Sequence, residues 1–183
     1  MTRLPDIVEW LEGDDALQLG RILILLRAFG GRKSNQALEG LTKLAKLDFL
    51  LRYPAYLERA LAARGIATEP TKVQDYERNS VEALMVRYRY GPWDHRYRRF
   101  LNTLVGLGLV YVQTDKRTIV IRLTEEGQKA ADALIDDPAY GAITARAGLL
   151  KKHFDIGPTQ LMKFIYETFP EVVSLSLGET IEP

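Results

Sequence analysis

The 183-residue chain contains no cysteine, which removes disulfide frameworks, thiolate metal sites and thiol nucleophiles from consideration. Histidine is nearly absent as well. The only two, His95 and His153, lie far apart, with no second histidine at helical spacing and no HExxH run, so no metal site is expected. An excess of one charge is missing too. With 25 Lys and Arg against 24 Asp and Glu, the formal net charge is +1, and any basic surface must be local. No stretch approaches the roughly 18 apolar residues of a membrane span. The opening MTRLPDIVEWLEGDD lacks the apolar centre of a signal peptide. The expectation is a cytoplasmic protein that does not contact membranes.

Catalytic motifs are equally scarce. There is no GxxxxGK[ST] phosphate loop, no GxGxxG after a strand and no GxSxG elbow. Gly106-Leu107-Gly108 is too short to cradle a phosphate and serves better as a helix stop. Asp136-Asp137 could in principle hold magnesium, but it stands before Pro138 and reads as a helix end. The sequence therefore predicts a protein that is not an enzyme and carries no cofactor and no metal.

What remains is an ordinary globular composition, 46% hydrophobic and 27% charged, enough to bury a core in one or two domains. Leu19, Ile22, Leu23, Leu25, Leu26 and Phe29 keep helical spacing after Asp14-Asp15, predicting a helix over 15–29 that Gly30-Gly31 ends. After a polar turn at Arg32 to Asn35, Leu38, Leu41, Leu44, Leu47 and Leu51 form a second stripe, which must change course at Pro54. A further helix is expected over 55–64. Residues 41–54 carry apolar side chains on nearly every face, so this helix wants burial all round, in its own core or against another chain.

Residues 66–79 mix proline, threonine and charge and read as a connecting loop. Val86, Tyr88 and Tyr90 alternate with Arg87 and Arg89, the period of a half-buried strand, and Gly91-Pro92 should stop it. Asp94 can cap a helix in which Tyr97, Phe100, Leu101, Leu104 and Val105 form a buried stripe. Then the period changes. Leu109–Val112 and Thr118–Leu123 are β-branched-rich strands around a polar tip, Thr114-Asp115-Lys116-Arg117. Thr124 can cap the next helix, which Glu125 and Glu126 favour through the helix dipole. Two more helices are expected over 139–152 and 158–168, then a short tail from Pro170.

The run Leu104-Val105-Gly106-Leu107-Gly108-Leu109-Val110, a hairpin, and Leu123-Thr124-Glu125-Glu126-Gly127 resembles many bacterial winged-helix proteins over roughly 84–135. The tight helix-to-strand turn needs glycine, and the threonine caps the helix that steadies the hairpin. The expected fold is mainly α with a small antiparallel sheet (α+β): an N-terminal helical layer at 1–65, a connecting loop at 66–80, a winged helix at 81–136, and C-terminal helices and tail at 137–183. Winged helices often lay the helix before the hairpin in the DNA major groove. Arg87, Arg89, Arg96, Arg98, Arg99, Lys116 and Arg117 are the candidate DNA contacts, against the plainer reading that they solvate an exposed face. One departure counts against base readout. Only Gly91-Pro92-Trp93 and a single helix stand between the first strand and the hairpin, where two helices are usual.

Lys46-Leu47-Asp48-Phe49-Leu50-Leu51-Arg52-Tyr53-Pro54, Arg87-Tyr88-Arg89-Tyr90-Gly91-Pro92-Trp93-Asp94 and the hairpin that follows resemble the middle components of bacterial three-component ABC-ATPase systems. These are encoded between an ATPase similar to structural-maintenance-of-chromosomes proteins and an effector, in loci linked to defence against phage or plasmids. The resemblance spans about 15–135. It implies a non-enzymatic adaptor that links the ATPase to the effector; the arginines add double-stranded DNA as a further partner, and the apolar C-terminal helix adds a second copy of the chain. Trp93, Phe164, Ile165 and Phe169 are the candidate partner contacts, weighed against core plugging for Trp93 and fold-back for the C-terminal helix. The alternative is a winged-helix DNA-binding transcriptional regulator.

Overall fold

The structure, a computed structural model, describes residues 4–30, 37–79, 81 and 83–183; the polar turn expected at Arg32 to Asn35 lies outside them. Helix α1 spans Leu4–Gly30, eleven residues earlier than the sequence pattern begins. Pro5 falls in its first turn, where a missing N–H is tolerated, so Asp14-Asp15 stand inside the helix and do not cap it. The stripe itself holds: Ile22 to Leu26 and Phe29 are buried.

A short strand, β1 (Leu38–Glu39), was not expected, because two residues show no periodicity. Gly40 then turns the chain at φ +95 into α2 (Leu41–Arg52), and Pro54 opens α3 (Pro54–Ala63). Residues 44–52 of α2 are all buried, as the apolar surround required, and the core they enter is the chain's own.

The segment expected to connect two domains is tied down. It forms a 3-10 turn at Glu69–Thr71 and a single-turn helix, α4 (Asp75–Arg78). The Arg146 guanidinium grips it, donating to Glu77 at 2.7 and 2.8 Å and to the Thr71 carbonyl at 3.1 Å. One continuous buried cluster runs from Ile22 to Ile181, crossing this segment.

Strand β2 (Val86–Tyr88) pairs antiparallel with β3 (Gly91–Trp93), Tyr88 facing Gly91. Gly91-Pro92, expected to end a strand, thus begins the return one. The C-terminal tail closes over the outer side of β2: Arg87 N–H donates to Glu179 O, Gly178 N–H to Arg87 O and Ile181 N–H to Met85 O, at 2.7–2.8 Å.

Helix α5 (Tyr97–Gly106) leads into β4 (Val110–Asp115), β5 (Thr118–Leu123) and α6 (Glu125–Asp136), the order the sequence predicts. Tyr97, Phe100, Leu101 and Leu104 are buried, whereas Val105 is exposed. The turn between the strands is only Lys116-Arg117, since Asp115 pairs with Thr118. Thr124 caps α6 as expected, its Oγ1 accepting from Gly127 N at 2.9 Å and donating to Gly108 O at 2.7 Å. The sheet order is β1-β5-β4. The strand that joins the hairpin is therefore β1, and β2 pairs elsewhere, so α2, α3 and α5 all lie between that first strand and the hairpin.

Helices α7 (Gly141–Phe154), α8 (Pro158–Thr168) and α9 (Pro170–Ser174) complete the chain. Leu161, Ile165 and Phe169 are fully buried, so the last helices fold back onto the core. The protein is mainly α with small antiparallel sheets, and among the described residues no helix is long and apolar enough to cross a membrane.

Candidate functional site: an aromatic pocket above a buried charge network

Helix α2 carries three charged side chains inward. Asp48 is completely buried and accepts from Arg21 Nε at 2.7 Å, Arg52 Nη2 at 2.6 Å and Tyr97 Oη at 2.6 Å. Arg52 Nη1 in turn donates to Asp94 at 2.7 Å, and Asp94 also accepts from Arg96 Nη2 at 3.0 Å. The network ties α1, α2 and α5 together at one point. Burial alone would raise the Asp48 pKa, but the Arg21 and Arg52 charges and the Tyr97 hydrogen bond outweigh it and hold the carboxyl well below the usual range. Asp94, expected to cap α5, instead accepts from Arg96 N at 2.9 Å in the turn before the helix, whose N-cap is Arg96; its pKa is depressed for like reasons, burial opposing while Arg96 and Arg52 prevail.

Two residues before Asp48, Lys46 is 2% exposed. Its ammonium donates to the Thr42 carbonyl at 3.1 Å and makes no ion pair among the described residues. Desolvation pushes its pKa down to about 8. The unfolded chain keeps this proton up to about 10.5, so the buried charge costs stability in full below about pH 8, and stability rises with pH between the two values. Replacing Lys46 by the apolar methionine is expected to stabilise the protein at pH 7, by on the order of 1–3 kcal/mol. Thermal melts at pH 7 and pH 10 check this, and a gain that does not shrink at the higher pH counts against the assignment.

Lys46 lies at the floor of a cavity of about 450 Å³ bounded by α2, the β2–β3 hairpin and the first turn of α5. The walls are aromatic. Tyr88 and Trp93 stack with centroids 6.0 Å apart and planes at 28°, and His95 meets Tyr88 edge-on. Tyr90 and Arg98 stand at the mouth, both exposed, and among the described residues no carboxylate lines the space.

Of the residues singled out in the sequence, Trp93 and Arg98 meet in this pocket. Arg89 lies over the Tyr90 ring at its edge, and Arg87 lies over Tyr166. Arg96 is engaged by Asp94 and Arg99 by Asp15 at 2.7 Å, whereas Lys116 and Arg117 stand exposed at the hairpin tip. Phe164 packs against Phe154 and Arg64 on the far side. Ile165 and Phe169 are 0% exposed, so of the four partner-contact candidates only Trp93 and Phe164 reach the surface. Asp137, one of the paired carboxylates, accepts from Ala139 N at 2.9 Å as a turn cap. Among the described residues no cluster of His, Asp and Glu could hold a metal ion.

The sequence pattern places Tyr97 in a buried stripe but does not single out Lys46, Asp48, Arg21 or Tyr97 as site residues. A signal was present: charged residues at 46, 48 and 52 sit inside a helix that is otherwise apolar all round, where an unpaired charge is costly. Among protein-family models, curated proteins and solved structures, none matches this chain.

Proposed function

We propose that the chain is a non-enzymatic, cytoplasmic adaptor built on a winged helix, which docks onto an SMC-like ABC ATPase and an effector. The order helix, strand, helices, hairpin with sheet order β1-β5-β4 supports the winged-helix reading, because it restores more than one helix between the first strand and the hairpin. The observation that carries the adaptor role is the outer edge of that hairpin. Strand β4 ends the sheet, and Tyr111 (63% exposed) and Val112 stand out from it beside Leu107 (62%) and Val105 at the end of α5. An edge strand with an exposed apolar fringe is a surface that a partner strand or helix can cover.

Co-expression with the ATPase and effector encoded beside it should yield a stable complex by size exclusion. Leu107→Asp with Tyr111→Asp should weaken that complex about tenfold or more while the melting temperature holds, since buried aromatic anchors dominate interfaces. Failure of the wild-type chain to bind either product or to alter ATPase turnover would remove the proposal.

A second reading, backbone contact with DNA, rests on Arg98, Lys116 and Arg117, which are exposed and form no ion pair among the described residues. With Arg96 and Arg99 held by carboxylates, few cations remain, so a shallow dependence of affinity on salt is expected. Reversing the charge of Lys116 and Arg117 should reduce binding to all sequences equally; an unchanged gel shift excludes the contact.

A further inference from the structure

The buried cations of this protein fall into two kinds. Arg21 is paired with Asp48, Arg52 with Asp48 and Asp94, and Arg146 with Glu77. Lys46 is as deeply buried as these, donates only to the Thr42 carbonyl among the described residues, and faces no carboxylate among them. A fold that matches the other buried cations with acids leaves this one at the floor of an open cavity, and desolvating an ammonium without an anion is unfavourable. An anion that enters the cavity would supply the counter-charge.

The rest of the lining limits what that molecule is. Among the described residues, Lys46, His95 and Arg98 are its basic side chains, and Tyr88 and Tyr90 the remaining titratable ones. The absence of an acid favours an anion. The nearly parallel Tyr88 and Trp93 rings, with Tyr90 half exposed beside them, offer flat π-faces, which suit a planar ring and carry no preference among bases. A volume of about 450 Å³ lies within the range of small-molecule sites, about 300–1,000 Å³, and suits one nucleotide. Arg98 at the mouth supplies a second donor set for an oxyanion.

We propose that this cavity binds a single nucleoside phosphate, with the base against Tyr88, Tyr90 and Trp93 and the phosphate held by Lys46 and Arg98. The site is separate from the β4 edge, and α5 links the two, its first turn bordering the cavity and its last turn carrying Val105. The nucleotide is either free or the 5′ end of a strand, two sources of the same chemistry.

Titration calorimetry on the full chain alone tests this without reference to any protein partner. The probes are AMP, adenosine, inorganic phosphate and a 5′-phosphorylated trideoxynucleotide. AMP is expected to bind about tenfold or more tightly than either adenosine or phosphate, because charge-assisted bonds and stacking act together. Lys46→Met, which the buried site tolerates, should reduce AMP affinity about tenfold and leave adenosine unaffected. Tyr88→Ala should weaken AMP and adenosine alike. Tighter binding of the trinucleotide than of AMP identifies a strand end as the source, and the reverse identifies the free nucleotide. Silence of all four probes, equal affinity for phosphate and AMP, or wild-type AMP affinity in Lys46→Met each overturns the proposal.

Discussion

Asp48→Ala is expected to cost on the order of 3–5 kcal/mol, because it leaves the buried Arg21 guanidinium without its opposite charge and Arg52 with Asp94 alone. Domains of this size are stable by only about 5–15 kcal/mol, so the variant should be partly unfolded in low urea or unstable at physiological temperature. Asp48→Asn, which keeps the shape and can still accept from Tyr97 or one arginine, should lie between the variant and the wild type. Arg52 has Asp94 as a second partner at 2.7 Å, whereas among the described residues Arg21 has only Gln18 besides Asp48; Arg21 is therefore the group left most exposed to the loss. Urea unfolding followed by circular dichroism measures the effect, and a midpoint within error of wild type would disprove it. The pH dependence has a defined sign. The Asp48 pKa is lower folded than unfolded, so its contribution is complete above the ordinary carboxylate value of about 4 and is lost as pH falls toward the folded value. The gap between wild type and Asp48→Asn should accordingly narrow in acid below about pH 4.

Gly127→Ala is the second large effect. A Cβ at this position would lie 1.8 Å from the Leu109 carbonyl oxygen and 2.8 Å from its carbon. That oxygen already accepts the Thr124 N–H at 3.0 Å, so it cannot retreat without breaking the bond that joins the base of the hairpin to the start of α6. No rotamer change relieves a clash with backbone. The expected cost is at or beyond the upper end of the roughly 1–3 kcal/mol typical of overpacking, with loss of amide-exchange protection in β4 and β5. Gly148, in the interior of α7, is the control. Nothing lies within 4 Å of a Cβ there, and Gly148→Ala should stabilise by about 1 kcal/mol through helix propensity. Equal melting temperatures for the two variants would show that Gly127 is not a packing glycine.

Both predictions bear on how far the proposed adaptor and nucleotide sites are separable from the fold. Asp48 and Lys46 are two residues apart on α2, yet one is saturated with partners and the other opens on the cavity. Variants of Asp48 should therefore lower stability and change ligand affinity only as a consequence, whereas Lys46→Met should lower ligand affinity while raising stability.

The order of elements from α5 to α6 was legible, although Val105 of the expected stripe is exposed and Thr114-Asp115 extend β4 rather than form the turn. The switch from a 3.6-residue to a two-residue period, the glycines at 106 and 108, and Thr124 three residues before Gly127 are local signals, and each finds its partner within about twenty residues. The all-round burial of α2 and the fold-back of Leu161 and Ile165 were also implied by apolar spacing alone. By contrast, β1 is two residues long and exists only because β5 pairs with it from more than eighty positions away. The β2–β3 turn hid behind Gly91-Pro92, which reads as a stop unless the tail at 178–181 is known to close the outer edge.

The candidate site divides the same way. Sequence by itself determined that Trp93 and Arg98 stood near one turn, that the arginines were numerous there, and that disulfides and thiol chemistry were excluded. Only the tertiary structure decided which arginines are spent on Asp15, Asp48 and Asp94 and which remain exposed, and that Lys46 meets Tyr88 and Trp93 around a cavity. The physical reason is that amphipathic period records which side of an element faces inward. It carries no record of which group, 27, 42 or 49 residues away, waits there to receive a charge.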